Sequence, residues 1–151
     1  MFDEGVLQLL FEDRKDIEAI LDDPEAFNLY ESMLKYGLST QKFLYLDYRG
    51  EQDNEMVNYI LDYEFARGIE VASQDELEEL GEFEYAFLPE KVREANKLLS
   101  QKGYGLFSFP TSGDFYVLFI TKLESKTRLL QTEILADEEL PSSERFIKYY
   151  Y

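Results

Sequence analysis

The chain has 151 residues and a formal net charge of −17, with 32 acidic against 15 basic residues; 45% are hydrophobic and 16% aromatic. That length suits one domain with a real core, and the 12 Tyr and 12 Phe exclude a disordered acidic chain, which would lack aromatic residues. There is no Cys and no His, which excludes disulfides, thiolate metal sites, Cys nucleophiles, imidazole triads and two-histidine metalloprotease helices.

Residues 13–22 and 24–36 read as two short helices. Pro24 behind Asp23 suits the first helical position after an Asp cap. Phe27, Tyr30 and Leu34 form one apolar stripe, and Gly37 stands where a C-cap glycine belongs. Residues 42–48 read as a strand, with Phe43, Tyr45 and Asp47 on one face and Leu44, Leu46 and Tyr48 on the other. After a turn at 49–52, Asp53 is placed to cap a helix ending at Arg67, with Met56, Tyr59, Ile60 and Tyr63 on one face and Gly68 as its stop. Ile69–Val71 reads as a short edge strand.

Ser73 and Glu76 have the spacing of a capping box ahead of a short acidic helix over 75–81. Pro89 opens a helix ending near Lys102. Its apolar face is Val92, Ala95, Leu98 and Leu99; Lys91, Arg93, Lys97 and Lys102 are expected on its exposed sides, and Gly103 caps it. A hairpin follows: residues 104–109 and 115–121 are β-rich, joined by the turn-forming Pro110-Thr111-Ser112-Gly113-Asp114. In the second strand Phe115, Val117 and Phe119 point one way and Tyr116, Leu118 and Ile120 the other. A strand apolar on both faces is central in its sheet. Residues 123–135 fit either a helix or, from Leu129 to Leu135, a final strand. Residues 136–151, broken at Pro141, read as a poorly ordered tail. Together these elements predict a single α+β domain over residues 1–151, with a small, largely antiparallel sheet flanked by helices.

Charge is unevenly spread. Residues 51–90 carry 13 acids against Arg67, net −12, whereas residues 91–128 carry 7 bases and 3 acids, net +4. The acid excess opposes nucleic-acid and anionic membrane surfaces, whose recognition needs Lys and Arg, and favours a basic protein partner. The longest apolar run, residues 115–120, is far too short to span a bilayer, which takes roughly 20 residues. The acidic start Met1-Phe2-Asp3-Glu4 is unlike a secretory leader, so a cytoplasmic location is expected.

Two carboxylate clusters bear on function. Asp47, Glu51, Asp53 and Glu55 surround a strand end and a helix start. They suit a hard metal ion, or else capping and dipole roles; the second account is the expectation, with no metal and no cofactor. From Asp75 to Glu90, carboxylates including Glu78, Glu79 and Glu82 interleave with Phe83, Tyr85 and Phe87. That mixture suits a solvated helix and loop over a core edge, or else a docking surface for a basic protein, where aromatic rings supply contact area and carboxylates supply steering and register.

The order Leu46-Asp47-Tyr48-Arg49, then Gly103-Tyr104, Ser112-Gly113-Asp114-Phe115-Tyr116 and Val117-Leu118-Phe119-Ile120, over residues 42–133, resembles an uncharacterised family of small acidic bacterial domains. In that family a strand carries Asp-Trp/Tyr-Lys-like residues and a later hairpin carries Ser-x-Asp-x-Tyr. The resemblance implies an α+β fold, no assigned activity, and attention to Asp47, Asp114 and Tyr116; Asp114 also suits closing the hairpin turn through its side chain. Some relatives are similar to bacterial immunity proteins.

The expectation is therefore a non-catalytic, immunity-like or regulatory domain that binds a basic partner, as a monomer or weak homodimer. Its binding residues are Asp47, Asp114, Tyr116, Glu78, Glu79, Glu82, Phe83 and Tyr85. The alternative is a hydrolase or transferase that depends on carboxylates and a hard metal.

Overall fold

The computed structural model describes residues 4–23, 28–111, 113–135 and 138–151. Its helices are α1 (Glu4–Leu10), α2 (Arg14–Leu21), α3 (Leu29–Ser39), α4 (Glu55–Arg67), α5 (Gln74–Glu82), α6 (Leu88–Leu99) and α7 (Lys126–Leu130). Its strands are β1 (Leu44–Asp47), β2 (Tyr104–Phe109), β3 (Phe115–Lys122) and β4 (Lys148–Tyr149). The architecture is one α+β domain, as expected.

The sheet runs β1-β3-β2-β4 with every neighbour antiparallel. Leu44 stands opposite Leu118, Phe107 opposite Phe119, and Ser108 opposite Lys148. β3 lies between β1 and β2, so its double apolar pattern is satisfied on both sides. Leu118 and Ile120 join Leu46, Leu106 and the inner faces of α4, α5 and α6. Val117 and Phe119 join Phe43, Phe107, Phe109 and the α1–α3 and α7 residues Leu7, Ile17, Met33 and Leu129. The sheet is thus a shared wall between two helical layers, and each layer buries the stripe that its own periodicity supplies.

Several local expectations need correction. Pro24–Phe27 lie outside the described residues; α3 opens at Leu29, where the Asn28 side chain accepts from the Glu31 amide at 2.8 Å. Gly37 does not end α3. It lies inside the helix, where a Cβ would run into the Phe43 ring, so the helix can approach the sheet only without one. Asp53 does not cap α4; Asn54 occupies that place without a side-chain bond. Instead the Glu51 carboxylate accepts from the Met56 amide at 2.7 Å and Glu55 accepts from the Gln52 amide at 3.1 Å. Ile69–Val71 form no strand, because the Glu64 carboxylate takes the amides of Val71 and Ala72 at 2.6 and 3.2 Å. Residues 123–135 resolve into a single 3-10 turn, α7 and a bridge from Glu133 to Phe146. Helix α1 was not anticipated, and β4 comes from the segment read as a tail.

The capping box is present: the Ser73 hydroxyl accepts from the Glu76 amide at 3.1 Å, and Glu76 accepts from the Ser73 amide at 2.8 Å. Gly68 ends α4, and Gly103 ends the 3-10 turn Ser100–Lys102 that continues α6, both in the left-handed conformation, at φ 64° and 82°. No helix among the described residues is long and apolar enough to cross a membrane.

Candidate functional site

The expected binding residues divide between two places. Asp114 and Tyr116 line a cavity of about 270 Å³ at the hairpin end, together with Tyr48, Ser108, Lys148 and Tyr150. Asp47 stands nearby, opposite Phe115, but its carboxylate serves its own turn. It accepts from the Arg49 amide at 3.0 Å and from Arg49 Nε at 3.1 Å, and these bonds hold its pKa below the ordinary carboxylate value. The side chain of Asp114 makes no hydrogen bond among the described residues. The turn is closed by Thr111, whose hydroxyl donates to the Phe115 carbonyl at 2.9 Å. Asp114 contributes its backbone carbonyl, which accepts from the Tyr48 amide at 3.2 Å.

The second place is α5 and the loop after it. Glu78, Glu79 and Glu82 are exposed on α5, whereas Phe83 and Tyr85 are half-buried beyond it. Tyr85 is held by the turn that carries Glu51. Its hydroxyl accepts from the Glu51 amide at 2.9 Å and donates to Glu51 Oε1 at 3.4 Å; burial and then the Glu51 carboxylate push its pKa up, although the amide bond opposes them. Glu51 in turn pairs with Lys91, and both side chains are almost wholly buried. Lys91 is therefore not on the exposed side of α6 as expected. It lies on the buried stripe with Leu88, Val92, Ala95 and Leu99.

These bonds assign Asp47, Glu51 and Glu55 of the carboxylate cluster to local structure. Asp47 holds Arg49, Glu51 holds Lys91 and the Met56 amide, and Glu55 holds the Gln52 amide. Among the described residues, no group of three or more Asp or Glu is placed to hold a metal ion.

A groove runs between α4 and α5. Val57, Leu61 and Leu77 supply its apolar surface, Glu78 and Glu82 its rim, and Gly81 leaves α5 without a side chain there; its volume is about 360 Å³. Sequence reasoning found the rim but not the floor. The missed signal was Leu61, which lies on the side of α4 away from Ile60 and Tyr63 and is 45% exposed. Five of the nine α5 residues are acidic and none is basic. Among the described residues, Glu78, Glu79 and Glu82 enter no ion pair.

No curated protein and no solved structure matches the chain. One family profile does, across residues 4–139, beyond the span over which the sequence resemblance was drawn. The chain belongs to the family described as Domain of unknown function (DUF6630).

Proposed function

We propose that this chain is a non-catalytic interaction domain, cytoplasmic and immunity-like or regulatory in type, that docks a basic protein segment along the α4–α5 groove. The supporting observation is the pairing of an apolar floor (Val57, Leu61, Leu77) with an unneutralised carboxylate rim (Glu78, Glu82) in one concavity. A partner segment with an apolar residue flanked by Lys or Arg matches both parts. The floor gives contact area, and the rim gives steering and register.

A second argument comes from the helix dipole. The C-terminal end of a helix carries partial negative charge, so carboxylates there oppose it. Glu82 is the last residue of α5, whose last turn holds no basic residue. Charge placed against the helix's own stability fits a role outside the free molecule. Phe87, 72% exposed, lies in the loop between α5 and α6.

The test is affinity capture from host lysate by the wild-type chain and by a Glu78→Gln, Glu79→Gln, Glu82→Gln variant. A specific basic protein retained by the wild type, lost from the variant, and released as salt rises from about 0.05 to about 0.5 M is the expected result. Equal retention by both chains, or retention indifferent to salt, rejects the reading.

A further inference from the structure

On the other side of α4 from the groove lies a cavity of about 450 Å³. It forms where the sheet loses a strand. β1 pairs with β3 only as far as Leu44 opposite Leu118, and β3 runs on to Lys122. Phe119 and Ile120 therefore wall the cavity, with Leu10 and Phe11 from the N-terminal layer.

The polar groups here are unevenly satisfied. Lys42 is occupied by Asp16 at 2.5 Å, and Tyr59 donates to the Lys42 carbonyl at 2.6 Å. Tyr63 is different: its residue is 8% exposed, and its hydroxyl is buried without any hydrogen-bond partner among the described residues. Arg67 stacks over the Tyr63 ring at 3.8 Å. It forms an ion pair with Glu12 at 3.8 Å, too long for a hydrogen bond. A buried hydroxyl left unpaired is unfavourable and calls for an explanation. A guanidinium beside it that makes no hydrogen bond among the described residues supplies one, because that fork matches a carboxylate. A concave space of this size, with an apolar wall of Phe11, Phe119 and Ile120 and polar side chains around it, has the build of a small-molecule site.

We propose that this cavity binds a small apolar molecule carrying one carboxylate. The carboxylate is taken by the Arg67 guanidinium and the Tyr63 hydroxyl, and the apolar part lies against Phe11, Phe119 and Ile120. Glu12 and Asp62 also line the cavity. They disfavour a second negative charge, so the ligand class is a monocarboxylate and not a phosphate or a dicarboxylate. The site is independent of the α4–α5 groove and uses none of its residues.

Calorimetric titration of the full chain with hydrocinnamate, hydrocinnamyl alcohol and phenethylamine tests this. Hydrocinnamate should bind saturably, and the alcohol and the amine should bind about tenfold more weakly or less. Tyr63→Phe should weaken hydrocinnamate binding about tenfold, yet leave the melting temperature of the free protein unchanged or raised, because the deleted hydroxyl has no partner there. Arg67→Gln should weaken binding in the same sense. The proposal is overturned by any one of four results: no saturable binding of hydrocinnamate, equal binding of the alcohol or the amine, a Tyr63→Phe variant that binds like the wild type, or one that melts lower.

Discussion

Lys91 and Glu51 form an ion pair with side chains only 2% and 4% exposed, and the two residues come from different elements. The pair ties the turn before α4 to the buried face of α6. The Tyr85 ring lies against Lys91, its centroid 5.6 Å from the ammonium. Removing one partner of a buried pair leaves the other charge without compensation, at a cost of about 3–5 kcal/mol. Lys91→Met should therefore lower the unfolding free energy by about that much in urea denaturation, and adding Glu51→Gln should recover part of the loss. A Lys91→Met change of under about 1 kcal/mol would show the pair to be dispensable.

Glu82 separates stability from recognition. Glu82→Gln removes a charge that opposes the α5 dipole, so the free protein should gain about 0.3–1 kcal/mol. The same substitution should weaken capture of the basic partner. Thermal melts and binding measured on one variant check both signs; a variant that is destabilised and still binds fully contradicts both.

Asn96 is wholly buried and joins three segments. Its amide donates to the Leu106 carbonyl at 3.1 Å and the Tyr150 carbonyl at 2.7 Å, and its side-chain oxygen accepts from the Leu106 amide at 2.7 Å. The side chain thus serves β2 and the residue after β4 at once. Asn96→Ala strands buried backbone groups, each costing about 1–3 kcal/mol, and should release the β4 segment first. Hydrogen exchange should show faster exchange at Tyr149 and Tyr150 than elsewhere in the sheet.

The capping box makes stability depend on acid. Bonds from the Ser73 backbone and then its side chain hold the Glu76 pKa below the ordinary value of 4.5. A depressed carboxylate contributes stability above its unfolded pKa and loses it as pH falls through the folded value. Wild type should therefore exceed Glu76→Gln at neutral pH, and the gap should shrink as pH drops below 4.5. A gap that stays constant from neutral to strongly acidic solution would remove the cap as its source.

How much was legible depended on whether the deciding contact was local. The box at Ser73 and Glu76 was legible because both ends lie within one turn. The central place of β3 was legible because apolar residues on both faces admit little else. Gly68 and Gly103 were legible as helix stops because each needs the left-handed region. Ile69–Val71 misled because the Glu64 carboxylate, on α4, takes the amides at 71 and 72 that a strand would need. Lys91 misled by residue type: the spacing 88, 91, 92, 95, 99 put it on the buried stripe, but its partner is 40 positions away. At the site, the acids of α5 were visible and the floor at Val57, Leu61 and Leu77 was not, since it exists only once two helices lie side by side. Asp47 and Asp114 were visible as residues, but their roles depend on Arg49 and Thr111.

The sheet order also sets a sequence of events in folding. β2 and β3 are joined by five residues and can meet on the microsecond scale of hairpins. β1 reaches β3 only after the chain bearing α4, α5 and α6 has looped back, an entropic toll that grows with loop length. Refolding kinetics should therefore be governed by the late arrival of β1, leaving the outer edge of β3 briefly bare.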